Sequence, residues 1–226
     1  LLDWLAREFI RGGWSLKHLH RVIMTSRTYR LSSQDVPDNL ASDPGNRLLW
    51  KFNRQRLDAE SLRDSLLFLS DGLDPAPQTQ PYPIPPSRKW EYTQHHPFKD
   101  DYPSSKRSVY LMTKRLTARP YFQSFDGADP NVCTSARDQS VTALQALYFV
   151  NDEFLHEQAE CFAKRLLKLP GDDEARLRHA FGAILSRPPT QGEIRLLQDH
   201  LHDVRQHVAG GKSPDTQAWA SLTRSL

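Results

Sequence analysis

The chain has 226 residues, enough for one large domain or two small ones, and its 38% hydrophobic and 10% aromatic residues suffice to bury a core. Its 30 basic and 27 acidic residues are interleaved and give a formal net charge of +3. This disfavours a nucleic-acid partner, because proteins that bind nucleic acids concentrate basic residues on one face. No apolar run approaches the roughly 20 residues that span a bilayer, so we predict no membrane segment in this chain.

The front part, residues 1–73, is predicted to be helical. Apolar residues recur at helical spacing in four stretches, which are 1–11, 16–26, 47–57 and 59–70. The third of these also shows strand spacing, and we favour a helix there. Gly12-Gly13 is expected to end the first helix, while Ser15 and Asp58 cap the second and the last. We interpret the first two helices as a hairpin. The pattern is already helical at Leu1, so we expect a fragment of a longer protein.

Residues 74–103 are predicted to form an extended, proline-rich connector. Half of the chain's 16 prolines lie in this stretch. Proline fixes φ and removes a hydrogen-bond donor, which excludes regular helix and central strand. Three aromatic residues suggest that the connector is pinned down; they are Trp90, Tyr92 and Phe98. His95-His96 and Asp100-Asp101 carry metal-binding atoms, but their spacing matches no ligand pattern, so we predict no metal site.

The rear part, residues 104–226, is predicted to contain one strand followed by helices. Arg107 to Met112 alternates apolar and polar side chains, which indicates a strand. Helices are expected over 143–150, 153–168 and 173–186, from Thr190 to Gly210, and around Trp219 in a last, truncated helix. Thr190 and Glu193 match a capping box. Cys161 flanks an apolar stripe in the second of these helices, so we predict that its thiol lies in the core.

The stretch 121–155 holds the candidate site. Its candidate catalytic residues are Asp126, Asp129, Cys133 and Arg137. A cysteine nucleophile needs a base and a lowered thiol pKa; Arg137 lies nearby, but no histidine lies between His96 and His156. The two aspartates have the residue type for acid–base chemistry. Loop aspartates beside glycine and proline are, however, more often turn formers.

A structural role accounts for the same stretch, and we favour it. Ser140 or Thr142 is expected to cap the helix over 143–150, and Asn151 or Asp152 the helix that follows. Arg137 and Gln145 have the donors to bridge loop carbonyl groups to this helix pair. The residues that we assign to this structural motif are Asn131, Ser140, Gln145 and Asn151.

Several motifs spread over nearly the whole chain are typical of one family. They include Leu2-Asp3-Trp4-Leu5-Ala6, Ile23-Met24-Thr25-Ser26-Arg27-Thr28-Tyr29, Asn46-Arg47-Leu48-Leu49-Trp50, Tyr82-Pro83-Ile84-Pro85-Pro86, Asp129-Pro130-Asn131-Val132-Cys133 and Gln145-Ala146-Leu147. The chain thereby resembles the planctomycete-specific C-terminal domain of unknown function that follows cytochrome-c-like domains in large exported proteins. The resemblance implies an extracytoplasmic protein with haem c in an upstream domain, and no cofactor in this fragment. Ala136 and Ala143-Leu144 depart from the family's pattern.

The sequence thus predicts a mainly α fold: a helical hairpin and a rear helical bundle joined by the proline-rich connector, with at most a minor β element. Our first hypothesis is a non-catalytic scaffold or interaction module that binds other domains of the same polypeptide, a protein partner or polysaccharide. The alternative is a hydrolase that acts on extracellular polysaccharide with a site around Asp126, Cys133 and Arg137. Cys133 and Cys161 allow one disulfide or two buried thiols.

Overall fold

A computed structural model describes residues 1–79, 104–113, 115, 119–208, 210 and 213–226 of the chain. Within these ranges it contains ten α-helices and no strand, which confirms the mainly α prediction. In chain order the helices are α1 (Leu2–Arg11), α2 (Leu16–Met24), α3 (Pro37–Ser42), α4 (Ala59–Leu69), α5 (Pro120–Ser124), α6 (Ala143–Asn151), α7 (Glu153–Leu167), α8 (Asp173–Leu185), α9 (Gln191–His207) and α10 (Pro214–Ser225). None of these described helices is long and apolar enough to cross a membrane.

The chain divides into two compact units, Leu1–Arg56 and Leu57–Leu226. The predicted division at 73 and 103 stays a prediction. Most of the predicted connector, including Trp90, Tyr92, Phe98 and the His95-His96 and Asp100-Asp101 pairs, lies outside the described residues.

The first unit begins with the predicted hairpin of α1 and α2. Ser15 caps α2 as expected, since its hydroxyl accepts a hydrogen bond from the His18 N–H at 3.2 Å. Gly13 takes φ 68°, a left-handed conformation that costs glycine little, and this lets the Trp14 N–H reach the Phe9 carbonyl at 2.9 Å. His18 Nε2 lies 3.0 Å from Glu8 Oε1, which ties the two helices together.

The predicted helix over 47–57 is wrong, because this stretch is irregular. The Asp43 carboxylate accepts hydrogen bonds from the Arg47 and Leu48 N–H groups at 3.0 and 2.8 Å. Asn46 takes φ 52°, and its side-chain amide donates to the Lys51 carbonyl at 2.7 Å. Short polar side chains that bond to nearby backbone compete with the helix in this way, and here they replace it with turns.

The second unit is built around a core contributed by α7, α8, α9 and α10. The largest fully buried side chains in the described residues are Trp219, Leu166, Leu177, Ile194, Leu201 and Leu222. The apolar stripe predicted for α7 is buried as expected, with Leu155, Ala159, Phe162 and Leu166 all below 10% exposure. The Thr190–Glu193 capping box is also confirmed at the start of α9.

Cys161 was predicted to lie in the core, and this prediction is wrong. Its side chain is exposed, as is that of Cys133, and both are free thiols. Consecutive helical residues point about 100° apart. Phe162 therefore fills the core while Cys161, one position earlier, faces the solvent.

The predicted strand over 107–112 is wrong as well, since Ser108–Tyr110 forms a short 3₁₀ turn. The turn is held by α4. Arg63 donates to the carbonyl groups of Ser104 and Lys106 and to the Ser108 hydroxyl. The Asp64 carboxylate accepts from the Ser108 N–H at 2.7 Å. Side chains of α4 thus bind the Ser108 N–H and two carbonyl groups just before the turn, which fixes the turn against α4.

An ion-pair network joins three helices of the second unit. Arg205 on α9 lies 2.5 Å from an Asp173 oxygen on α8 and 2.8 Å from an Asp215 oxygen on α10. The hydrogen bond from Arg205 lowers the pKa of Asp173 below its ordinary value, against the opposing effect of its partial burial.

We predict that this network adds stability that is lost in acid. A carboxyl group with a lowered native pKa stabilises the fold fully above its unfolded value, near 3.8, and ceases to do so as the pH falls through the native pKa. At pH 7 the Asp173→Asn variant should lose about 0.5 to 1 kcal/mol, the range of partly exposed ion pairs. Urea unfolding across pH 2 to 7 should show this difference shrinking below pH 4. Asp199→Asn, at an exposed position of α9, is the control; an equal loss in both variants contradicts the assignment.

Candidate functional site

The candidate stretch is organised by aromatic packing between α5 and α6. Phe125 is 4% exposed. Its ring centroid lies 4.9 Å from that of Tyr121, 5.2 Å from that of Tyr148 and 5.6 Å from that of Phe149. Aromatic pairs at these separations add stabilisation beyond their buried area. This aromatic cluster therefore fixes both ends of the loop between α5 and α6.

Tyr121 also links this aromatic cluster to α4. Its hydroxyl donates to the carbonyl of Ala59, the first residue of α4, at 2.7 Å. Burial raises the pKa of Tyr121 well above its ordinary value. The phenol therefore stays protonated at physiological pH, where it serves as a hydrogen-bond donor and not as a base.

Asp126 is placed by a tight turn at the end of α5. The Gly127 N–H donates to the Phe122 carbonyl at 2.6 Å, and a Cβ at Gly127 would lie 2.8 Å from both that carbonyl oxygen and Phe122 Cβ. Only glycine fits such a close approach. Asp126 itself takes φ 57°, in the left-handed region that aspartate tolerates better than most residues.

The Asp126 carboxylate forms one hydrogen-bonded network with Ser140 and Gln145. It accepts from the Ser140 N–H and hydroxyl, both at 2.8 Å. The Gln145 side chain donates to the Ser124 carbonyl at 2.8 Å and to the Ser140 hydroxyl at 3.2 Å, and it accepts from the Thr142 N–H at 3.1 Å. Gln145 is 4% exposed and completes a capping box with Thr142 at the start of α6. It thus bridges a loop carbonyl to α6, as the sequence suggested.

Asp129 belongs to a separate, exposed turn. Its carboxylate accepts from the Asn131 N–H at 2.8 Å and from the Asn131 side chain at 3.1 Å. Asn131 also donates to the Arg115 carbonyl at 2.9 Å. This pattern is a local aspartate turn.

Arg137 forms an ion pair with Glu60 in the first turn of α4. Arg137 Nη1 lies 2.5 Å from Glu60 Oε2, and this hydrogen bond raises the pKa of Arg137. The sequence suggested that Arg137 binds backbone carbonyl groups, whereas its contact here is a carboxylate. Sequence reasoning did not select Glu60, because 77 residues separate it from Arg137 and no local pattern links them.

Cys133 and Asn151 contribute less to the geometry of this stretch than the residues described above. The Cys133 thiol is exposed. Asn151 is the last residue of α6, and Asp152 is the residue that caps α7, by accepting from the Leu155 N–H at 3.3 Å.

A cavity of about 180 Å³ lies beside the stretch. Glu60, Ser108, Arg119 and Pro130 are among its lining residues, but none of the four candidate catalytic side chains is. The described residues also contain no group of three or more His, Cys, Asp or Glu side chains able to hold a metal ion. Three of the four candidates also have separate hydrogen-bond partners: Asp126 binds Ser140, Asp129 binds Asn131, and Arg137 binds Glu60.

Residues 1–201 match the family PSD1, described as "Protein of unknown function (DUF1553)". The chain belongs to the PSD1 family. No curated protein and no solved structure matches it. Membership confirms the part of the resemblance that concerns a domain of unknown function. For this PSD1 chain, the planctomycete origin and the position after cytochrome-c-like domains stay predictions.

We predict that Asp126 stabilises the PSD1 fold much more than Asp129 does. Asp126→Asn keeps a residue that tolerates the left-handed backbone but weakens the bonds to Ser140, at a cost of about 1 to 2 kcal/mol. Asp129→Asn, in an exposed turn, should cost under about 0.5 kcal/mol. Urea unfolding followed by circular dichroism measures both. Equal losses of unfolding free energy in the two variants would contradict a stabilising role of the network around Asp126.

Proposed function

We propose that this chain is a non-catalytic interaction module of a large exported polypeptide, and that it binds another domain of that polypeptide through α6. The observation that carries the proposal is an exposed apolar surface on α6. The resemblance described above supports the remaining elements, which are an extracytoplasmic location and haem c in an upstream domain.

The exposed surface, which we call the α6 face, consists of Leu144, Leu147 and Val150. These side chains are 68%, 53% and 65% exposed. Because helical residues three apart differ by about 60° in direction, the three lie within one stripe centred on Leu147. Val141, which precedes the helix, extends the apolar character at 94% exposure.

The opposite side of α6 already has its partners within the chain. Tyr148 and Phe149 pack on Phe125, and Gln145 is buried in the capping network. The α6 face is therefore a second apolar side on a helix that is fixed in place. Full burial of a leucine or valine side chain contributes about 1.5 to 3 kcal/mol, so a partner that covers the stripe gains several such contributions. Contiguous apolar patches of this kind mark interaction sites.

The polar groups of the candidate stretch add support. A catalytic carboxylate or nucleophile must be able to reach a substrate. Asp126, Asp129 and Arg137 bind Ser140, Asn131 and Glu60, which gives each of them a part in positioning the loop that precedes α6. In this interpretation the polar stretch holds the α6 face in place.

We predict that the double variant Leu144→Asp/Leu147→Asp abolishes binding to the partner domain. Two carboxylates in the buried centre of an interface should weaken the affinity at least about 100-fold. The matched control is Leu196→Asp on α9, because this leucine is 69% exposed. The affinity of this control variant for the partner domain should stay within about twofold of that of the wild type. Calorimetric titration of the chain with the other domains of its polypeptide measures the affinity, and circular dichroism verifies the fold of each variant.

Two results would overturn the proposal. The first is binding by the double variant at wild-type affinity. The second is release of reducing sugar ends from polysaccharide by the purified chain, lost on Asp126→Asn or Cys133→Ser, which would favour the hydrolase alternative.

A further inference from the structure

A second cavity lies inside the second unit, among α4, α7 and α10. Its volume is about 290 Å³, close to the lower limit of small-molecule sites. The floor consists of Leu155, Ala159 and Phe162, which are 4%, 9% and 3% exposed. Leu57, at 55% exposure, lies at the rim. The cavity thus has an apolar floor and an open side.

The polar lining is small and mostly bonded within the chain. The Ser65 hydroxyl donates to the Ser61 carbonyl at 2.7 Å, and the Thr223 hydroxyl to the Ala220 carbonyl at 3.2 Å. Gln158 accepts from the Ser70 hydroxyl at 2.6 Å. Among the described residues of the lining, the one ionised side chain is that of Arg224, which is exposed. The cavity therefore pairs an apolar interior with one positive charge.

His156 positions the Arg224 guanidinium. His156 Nε2 lies 2.7 Å from the Val150 carbonyl oxygen, so this nitrogen carries the proton and donates. Arg224 Nη1 lies 2.7 Å from Nδ1 and 3.2 Å from Nε2, which places the guanidinium against the face of the imidazole ring. The imidazole thus holds the guanidinium in place, and among the described residues no carboxylate forms an ion pair with it. Its charge stays available for an anion.

We propose that this cavity binds a medium-chain carboxylic acid, with the alkyl chain among the apolar residues and the carboxylate on Arg224. A volume of about 290 Å³ holds roughly ten groups the size of water, each of which takes about 30 Å³ in the liquid. Methylene groups are of similar size, which suits an acid of roughly eight to ten carbons. Arginine binds a carboxylate through two parallel N–H groups, which favours a flat acid head group over a hydroxyl.

The test is calorimetric titration of the full chain with decanoate, kept below its micellar concentration, and with decanol. We expect one decanoate per chain and binding of decanol that is about 10- to 100-fold weaker, because a hydrogen-bonded ion pair is lost. The Arg224→Gln variant should bind decanoate more weakly by a similar factor, while its affinity for decanol should stay unchanged. Arg195→Gln, an exposed arginine of α9 outside the lining, should bind decanoate like the wild type.

A filling variant locates the alkyl chain. Ser65 bonds only to its own helix in the contacts above, so Ser65→Phe adds a ring to the cavity at little cost to the fold, which circular dichroism and urea unfolding verify. We expect decanoate and decanol both to lose at least about tenfold in affinity. Equal binding of decanoate and decanol by the wild type, or undiminished binding by a folded Ser65→Phe variant, would overturn the proposal. Loss of decanoate binding in the α6 double variant is not expected, which separates this test from that of the interaction surface.

Discussion

The burial of Trp219 is the constraint on which the second unit depends. Its side chain is fully buried where α10 packs against α7 and α9, within the same cluster as Leu166, Leu177 and Leu201. Removal of a buried tryptophan of this size typically costs 3 to 5 kcal/mol. The indole N–H is buried without a protein acceptor in the described part of the chain, which opposes burial by about 1 to 3 kcal/mol. The apolar contribution is the larger, so α10 stays docked.

Docking of α10 also shapes the features at its edges. Thr223 and Arg224 of this helix complete the apolar cavity that α4 and α7 begin. Asp215, near its start, joins the Arg205 network. Helix α6 is held by Phe125 and by the buried amide of Gln145, and this leaves its leucines facing outward. The same packing that hides the core therefore determines which apolar groups remain accessible.

Helix boundaries were predictable because caps are local. Asp58, Thr142 and Thr190 each bond to a backbone N–H three residues ahead, and sequence spacing reveals such contacts. Cys161 was misplaced because helical spacing does not show how wide the buried stripe is. The turn at Ser108 escaped prediction because Arg63, 45 residues away, binds it, and Glu60, the partner of Arg137, lies 77 residues from it in the sequence. The sequence showed that polar residues cluster between α5 and α6, but it did not show that most of them bind one another.

The separation of contacting residues along the sequence affects the rate of folding. Helix α10 packs mainly on α7, through contacts between residues such as Thr223 and Ala159 that lie 64 apart, and α4 reaches its partners over separations of 41 to 97 residues. Contacts between distant residues form only after a large loss of chain entropy, and folding slows as their share grows. The rear core and the docking of α4 therefore both need distant residues to meet, so we expect this unit to fold more slowly than a bundle in which each helix packs on the next. The cavity among α4, α7 and α10 forms only when all three of these segments have met.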